Sequence, residues 1–179
     1  MEISELGISG LLVIKPQRFN DERGYFMESF QELRYKELIT LPFIQDNVSV
    51  SKKGVLRGLH LQSPPSAQGK LVQVLRGAVM DVAVDLRKQS PTYGQHVCIE
   101  LSQENGLQFY IPPGFAHGFQ TLEDDTIFTY KCTAYYNASH ELTIRWDDPN
   151  LGIPWPISPV LTSSKDDLGA FFESFNSPF

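Results

Sequence analysis

The sequence predicts an all-β fold of the sandwich or barrel type. Short runs rich in Val, Ile, Phe and Tyr recur along the 179 residues between Gly, Pro, Asn and Ser, a spacing typical of many short strands joined by turns. In the run Val79–Leu86, one face is entirely apolar and the other carries Asp81 and Asp85, which is the period of two expected of a strand. Helical patterns are confined to two short segments.

Each predicted strand is an apolar or alternating run bounded by turn residues. In chain order, the predicted strands are Leu11–Lys15, Gly24–Ser29, Ile44–Ser51, Val55–Leu61, Lys70–Leu75, Val79–Leu86, His96–Leu101, Gln108–Ile111, Gly118–Leu122, Ile127–Thr133 and Leu142–Trp146. The two predicted helices are Gln31–Ile39 and Asp166–Phe175. The second has an apolar stripe at three- and four-residue spacing, which we expect to dock on the sandwich.

Length and charge limit the function classes. A chain of 179 residues without a composition shift is expected to form one domain, residues 1–179. The formal net charge of -6 argues against nucleic acid as a partner. No apolar run approaches the length of a membrane span, and Glu2 and Glu5 stand where a signal peptide would be basic, so we expect no membrane partner and a cytoplasmic location. Cys98 and Cys132 are expected to be buried free thiols.

Two histidines are candidates for chemistry. His117 ends a Pro-x-Gly-x-x-His arrangement that is found in double-stranded β-helix proteins of the cupin type, where it often supplies a metal ligand. A metal site needs further converging ligands, and the earlier strand offers only His60, so we expect no metal. Strict alternation places Arg57 and His60 on opposite faces, unless a bulge at Gly58 re-aims them. His60 is therefore either a core histidine or a base.

Without a metal, the site needs a base, a partner for the base, an acid and a cation where negative charge develops. His60 is a plausible base, and a carboxylate accepting its second N–H would raise its basicity. Lys70, at the start of a strand, either holds an oxyanion or is an ordinary solvated lysine. Tyr130 shares a face with Phe128, and is either an acid or a packed ring.

In addition, an ordered set of motifs along the chain resembles that of a known protein family. The motifs are Asp21 to Glu28 (DERGYFME), Gln45 to Asn47 (QDN), Leu56 to His60 (LRGLH), Ala67 to Leu71 (AQGKL), Asp81 to Arg87 (DVAVDLR), Pro113 to Phe119 (PGFAHGF), Tyr130 to Thr133 (YKCT), Tyr135-Tyr136, Gly152 to Pro156 (GIPWP) and Lys165-Asp166. Together they cover nearly the whole chain, and the sequence resembles the dTDP-4-dehydrorhamnose 3,5-epimerases.

The resemblance implies a cupin-type double-stranded β-helix, a jelly-roll sandwich with a few short helices, that works without a cofactor. It also implies a homodimer formed by exchange of an N-terminal strand, and a dTDP-sugar substrate with a ketone at C4. The implied catalytic roles are His60 as base, Asp166 as its partner, Tyr130 as acid and Lys70 as the cation near the C4 oxygen.

The remaining matched positions are implied to bind the substrate. Arg23 and Arg57 are implied to bind the diphosphate, because guanidinium groups form paired hydrogen bonds with phosphate oxygens. The other implied substrate-binding residues are Glu28, Gln45, Asp46, Asn47, Lys70, His117, Tyr136, Glu141 and Lys165. Val48 and Ala134 depart from the usual family residues, a histidine and an Asn or Asp. These departures bear on fine substrate preference more than on the reaction.

Other function classes remain alternatives. A regulatory cupin that binds a nucleotide sugar without converting it would have no need of His60, Lys70, Tyr130 and Asp166 together. A metal-dependent cupin oxygenase or isomerase would contain stoichiometric metal. Relatives with the same histidine, lysine and tyrosine also include enzymes that invert only one carbon.

Overall fold

Thirteen strands dominate the fold, and the computed structural model describes all 179 residues. The strands are β1 (Glu2–Glu5), β2 (Leu12–Lys15), β3 (Arg18–Asp21), β4 (Gly24–Met27), β5 (Gln45–Ser51), β6 (Leu56–Gln62), β7 (Lys70–Arg76), β8 (Ala78–Asp85), β9 (His96–Ser102), β10 (Gln108–Ile111), β11 (Phe115–Thr121), β12 (Thr126–Cys132) and β13 (Glu141–Thr143). The helices are α1 (Glu32–Lys36) and α2 (Ser164–Asp167), with 3-10 turns at Ala138–His140 and Phe172–Ser174.

Two antiparallel sheets form a jelly-roll sandwich, which confirms the predicted fold class. The six-stranded sheet has the order β1-β2-β10-β7-β12-β5, and the five-stranded sheet has the order β13-β6-β11-β8-β9. Strands β3 and β4 form a separate hairpin. A core of buried aromatic and branched side chains, including Val72, Phe109, Phe119 and Phe128, fills one end of the space between the sheets. The other end is polar.

The eleven predicted strands are all present, with ends that differ by at most three residues. Sequence patterns missed β1 and β3 because neither strand alternates: all four residues of β1 are exposed, and three of the four in β3 are exposed. In this chain β1 pairs with β2 of the same chain. The helix predicted over Gln31–Ile39 is confirmed in a shorter form, since α1 has five residues.

The helix predicted over Asp166–Phe175 is wrong for most of its length. Helix α2 ends at Asp167, and Ala170 then forms a bridge to Ile144 that requires extended backbone. Leu168 is 83% exposed, whereas Phe172 and Phe175 pack against the outer face of the five-stranded sheet. Tertiary pairing with the sheet therefore overrides the helical spacing of the apolar residues.

A glycine bulge decides which side chains of β6 face the interior. His117 is paired with His60, but Phe119 is paired with Arg57, so β6 has one residue more than β11 over this stretch. A Cβ atom on Gly58, whose φ is +135°, would lie 2.5 Å from the Cα of Gly118. Because neither glycine has a side chain, the two backbones can approach closely enough for the bulge to form. The bulge brings Arg57 and His60 to the same face.

The sequence predicts two buried free thiols, and the structure agrees for Cys132 but leaves Cys98 only partly buried. Cys98 and Cys132 are free, the first half-buried on β9 and the second buried on β12. None of the helices is long and apolar enough to span a membrane.

Candidate active site

Two adjoining cavities occupy the polar end of the sandwich and share His60, Lys70, Tyr130 and Asn47. The larger cavity has a volume of about 440 Å³ and the smaller about 230 Å³. The candidate residues that line the larger cavity are Asn47, Arg57, His60, Lys70, His117, Tyr130, Lys165 and Asp166. The smaller cavity adds Gln45, Tyr136 and Glu141. The structure thus brings eleven of the candidates for chemistry or binding to a single region.

His60 and Asp166 form a tight pair. The His60 Nε2 and Asp166 Oδ1 atoms are 2.6 Å apart, and the His60 side chain is 27% exposed whereas that of Asp166 is 4% exposed. The imidazole is therefore the more exposed member of the pair. When Nε2–H donates to the carboxylate, the neutral ring leaves Nδ1 as its free lone pair. This is the arrangement of a base with an orienting partner.

Asp166 is held by the cap of helix α2. Ser163 is the N-cap residue and forms a capping box with Asp166, in which each side chain bonds the backbone of the other residue. Burial raises the pKa of Asp166, but hydrogen bonds from His60 and Ser163 outweigh it and hold the pKa below the usual value. The carboxylate is consequently ionised beside His60 at neutral pH.

Lys70 supplies a cation inside the cavity. It lies on β7 on the same face as Val72 and Val74, which are core residues, so alternation directs its side chain between the sheets. No carboxylate forms a salt bridge with its ammonium group. Burial lowers the pKa of Lys70, while the charges of Asp81 and Glu141 oppose that change. An unpaired ammonium in a half-buried site is suited to binding a negative oxygen.

Tyr130 lies on β12, on the interior face next to Asn47 of β5. Its ring packs against Phe128, with ring centroids 5.9 Å apart. Burial raises the pKa of Tyr130, so the phenol keeps its proton at neutral pH. Its hydroxyl has no hydrogen-bond partner in the protein, and it lines both cavities together with His60. The phenol is therefore available as a proton donor.

His117 forms a second histidine–carboxylate pair, deeper in the sandwich. Its Nε2 is 3.0 Å from each carboxylate oxygen of Asp81, and both residues are buried. Burial lowers the pKa of His117, which keeps the ring neutral. Its ring stacks on Phe128 at 6.2 Å. No group of three or more His, Cys, Asp or Glu side chains converges as a set of metal ligands.

A chain of polar contacts borders the smaller cavity. The Tyr136 hydroxyl donates to Glu141 at 2.9 Å, and Glu141 also forms a salt bridge with Lys165 of α2. The Tyr136 backbone N–H donates to the side chain of Gln45, which in turn donates to Asn47. These contacts hold the rim residues around the entrance to the cavity.

Three predicted substrate-binding residues lie away from these cavities. Arg23, in the β3–β4 turn, pairs with Asp21, and Glu28 pairs with Arg34. Asp46 projects from the opposite face of β5 and pairs with Lys131. The single chain does not bring these three side chains to His60.

Sequence reasoning did not assign the lining residues Gln62, Gln68 and Ser163, or Asp81, which contacts the lining residue His117. Two carried a detectable signal. Ser163 and Asp166 have the Ser-x-x-acid spacing of a capping box. Asp81 shares the inner face of a central strand with the core residues Val79 and Ala83, and a carboxylate buried there needs a partner.

Comparison with known proteins gives consistent results. A family profile described as dTDP-4-dehydrorhamnose 3,5-epimerase matches residues 5–174. The curated dTDP-4-dehydrorhamnose 3,5-epimerase of Methanothermobacter thermautotrophicus is 50% identical over 163 residues, covering 89% of this chain and 88% of that protein. A dTDP-6-deoxy-D-glucose-3,5-epimerase from Legionella pneumophila, solved in complex with dTDP-4-keto-L-rhamnose, is 51% identical with a TM-score of 0.94 and covers 98% of this chain and 94% of its own.

A more distant structure is also similar. A 3'-monoepimerase from Streptomyces bikiniensis, solved in complex with dTDP-quinovose, is 33% identical with a TM-score of 0.88. The match covers 93% of this chain and 85% of that one. The same fold is thus found in proteins described as inverting two centres and in one described as inverting one.

Proposed function

Because the chain belongs to the dTDP-4-dehydrorhamnose 3,5-epimerase family, it is an isomerase of dTDP-sugars, and we propose how its residues carry out the reaction. The substrate is dTDP-4-dehydro-6-deoxy-α-D-glucose, and inversion at C3 and C5 gives dTDP-4-dehydro-β-L-rhamnose. The observation that carries the proposal is that His60, Lys70 and Tyr130 line the same cavities. The proposal keeps the cytoplasmic location and the absence of a cofactor that the sequence predicts.

The reaction needs only proton transfers beside a ketone. The C4 carbonyl acidifies the hydrogens on C3 and C5, and His60 Nδ1 removes one of them as a proton, leaving an enolate. The Lys70 ammonium stabilises the enolate oxygen more strongly than the neutral ketone oxygen, and this difference lowers the barrier. Tyr130 donates its phenolic proton to the opposite face of the same carbon. Proton exchange with solvent then restores neutral His60 and the phenol before the second centre reacts.

Asp166 supports the base in this scheme. When His60 takes up a proton, the imidazolium forms directly beside an ionised carboxylate at 2.6 Å. The carboxylate thus stabilises the positive charge of the imidazolium, and Asp166 itself does not need to accept the proton.

The rest of the cavity binds the nucleotide part of the substrate. Arg57 donates Nε to Ser51 at 3.2 Å, which leaves its terminal amino groups for the diphosphate. Lys165 supplies a second cation at the larger cavity. At the smaller cavity, amide groups and the flat ring of Tyr136 contact the thymidine end, and His117 borders the sugar.

Homodimer formation explains the residues that the single chain leaves outside the cavities. Phe26 is 69% exposed and Val48 is 66% exposed, on the β3–β4 hairpin and on the outer face of edge strand β5 respectively. Apolar surfaces of this kind are typical of interfaces. In the proposed dimer, the hairpin of one chain carries Arg23 and Glu28 to the cavity of its partner. Asp46 lies on the face that is expected to pack against the second chain.

Mixing two inactive variants tests this sharing of sites. We expect Arg23→Ala and His60→Asn to be poorly active alone, since one lacks a diphosphate contact and the other lacks the base. If the protomers are mixed after reversible dissociation, heterodimers contain one intact site, and activity should rise to about a quarter of the wild-type value. Activity that stays at the average of the two variants would show that Arg23 serves its own chain.

Product analysis in D2O tests the function itself. The wild-type protein should incorporate deuterium from the solvent at both C3 and C5, and coupling to a 4-keto reductase should yield the L-rhamno product. Exchange and inversion at C3 alone would instead assign the activity described for the Streptomyces bikiniensis relative. Binding without exchange at either carbon would identify a nucleotide-sugar binding protein. Loss of activity after treatment with a chelator would contradict metal-independent chemistry.

A further inference from the structure

A serine at the rim of the larger cavity contacts the carboxylate that supports His60, and we propose that Ser163 is a positioning residue for the catalytic base. The inference rests on the proposed function, in which His60 removes the proton. The Ser163 hydroxyl donates to Asp166 Oδ2 at 2.7 Å, and the Ser163 backbone N–H donates to the same oxygen at 3.3 Å. Ser163 itself lines the larger cavity.

The two oxygens of Asp166 have separate partners. Oδ1 accepts from His60 at 2.6 Å and from the Gly58 backbone N–H at 3.4 Å, whereas Oδ2 is bonded only by Ser163. The torsion that turns an aspartate carboxylate is broad and weakly restrained by itself. Hydrogen bonds to both oxygens therefore fix the plane of the carboxylate, and with it the direction in which the imidazole points.

The helix cannot supply this restraint without the serine. Helix α2 has four residues, which is too short to be stable through its own hydrogen bonds. Ser163 accepts from the Asp166 backbone N–H at 3.3 Å while it donates to the Asp166 carboxylate. One hydroxyl thus holds both the backbone and the side chain of the residue that orients His60.

Ser163 also affects the charge of the pair. Its hydrogen bonds are among the interactions that lower the pKa of Asp166. Their removal should make the His60–Asp166 pair bind a proton more tightly. Other charged or titratable groups line the cavities around this pair, contact a lining residue or lie on α2. They are Arg57, Lys70, Asp81, His117, Tyr130, Glu141, Lys165 and Asp167. Replacement of Ser163 leaves the identity of all these groups unchanged.

The test compares Ser163→Ala with two matched variants. Ser163→Thr retains the hydroxyl and should rescue the effect. Thr162→Ala is the control, because the Thr162 hydroxyl donates at 2.7 Å to Asp167, a neighbouring carboxylate that does not contact His60. If the alanine variant does not fold, Ser163→Gly gives the same readouts, since glycine is tolerated at helix N-caps.

The expected result for Ser163→Ala is a fall in kcat of about fivefold with little change in KM, since a hydrogen bond to a charged group is lost. The acid limb of the kcat/KM profile should move to higher pH. Thr162→Ala should do neither. A lower melting temperature with unchanged kcat and pH profile would overturn the proposal and assign Ser163 a purely structural role.

Two further outcomes are also decisive. A raised KM with unchanged kcat would identify Ser163 as a substrate contact instead. Wild-type activity measured in the same experiment separates the two hypotheses: an inactive wild-type protein contradicts the proposed function, whereas an active one with a neutral Ser163→Ala contradicts only this inference.

Discussion

Replacement of His60 by asparagine is expected to lower kcat by about 10²–10⁴-fold, the usual contribution of a general base. Asparagine can still donate to Asp166, but its amide cannot take up a proton from carbon at neutral pH. Deuterium from D2O should therefore no longer enter the substrate at C3 or C5. The measurement is NMR of the recovered sugar, combined with a melting curve that confirms the variant is folded.

A matched control comes from a histidine outside the site. His96 lies on β9, which forms the edge of the five-stranded sheet, and His96→Asn should leave exchange unchanged. Normal exchange in the His60 variant would contradict the proposed base. The next candidate would then be His117, which is bonded to Asp81 and lines the same cavity.

Much of this site follows from strand alternation, which sequence alone reveals. Lys70 is two residues from Val72, and Tyr130 is two residues from Phe128, and both of these neighbours are core residues. In a sandwich, such side chains must point between the sheets. Lys70 and Tyr130 stand at the ends of these apolar faces and therefore mark the polar end of the interior. Alternation alone does not distinguish a catalytic lysine from a solvated one.

The pairing of His60 with Asp166 could not be derived in this way. The two residues are 106 positions apart, and Asp166 was placed in a helix that continues to Phe175. In the structure, the chain after Asp167 turns back to pair with Ile144, and this contact with the sheet determines where α2 ends. The bulge at Gly58 presents the same difficulty, because it depends on the approach of Gly118 from another strand. Only the resemblance to the family supplied these roles in advance.

Arg23 and Glu28 show a different limit of predicting a site from the sequence. Their hydrogen bonds in the single chain are local ones, to Asp21 and Arg34, so neither the sequence pattern nor one folded chain connects them with the cavity. A site formed by two chains has contacts that no intrachain periodicity encodes. The complementation experiment is therefore the direct test of their assignment.

Tyr130→Phe should separate proton removal from inversion. His60 remains able to remove a proton from one face of the sugar and to return a deuteron to that face, so solvent exchange should continue with retention of configuration. Inversion requires a donor on the opposite face, and without the phenol its rate should fall by about 10²–10⁴-fold. Phenylalanine preserves the packing against Phe128, whose ring centroid lies 5.9 Å away, so the fold should be maintained.

The comparison of exchange with inversion makes this experiment more specific than a loss of activity. Tyr135→Phe is the control, because Tyr135 is 68% exposed and lines neither cavity. A folded Tyr130→Phe variant that inverts C3 and C5 at the wild-type rate would show that the proton comes from another group. Equal loss of exchange and inversion would place Tyr130 with the base rather than opposite it. Only exchange without inversion agrees with an imidazole and a phenol acting on the two faces of one sugar ring.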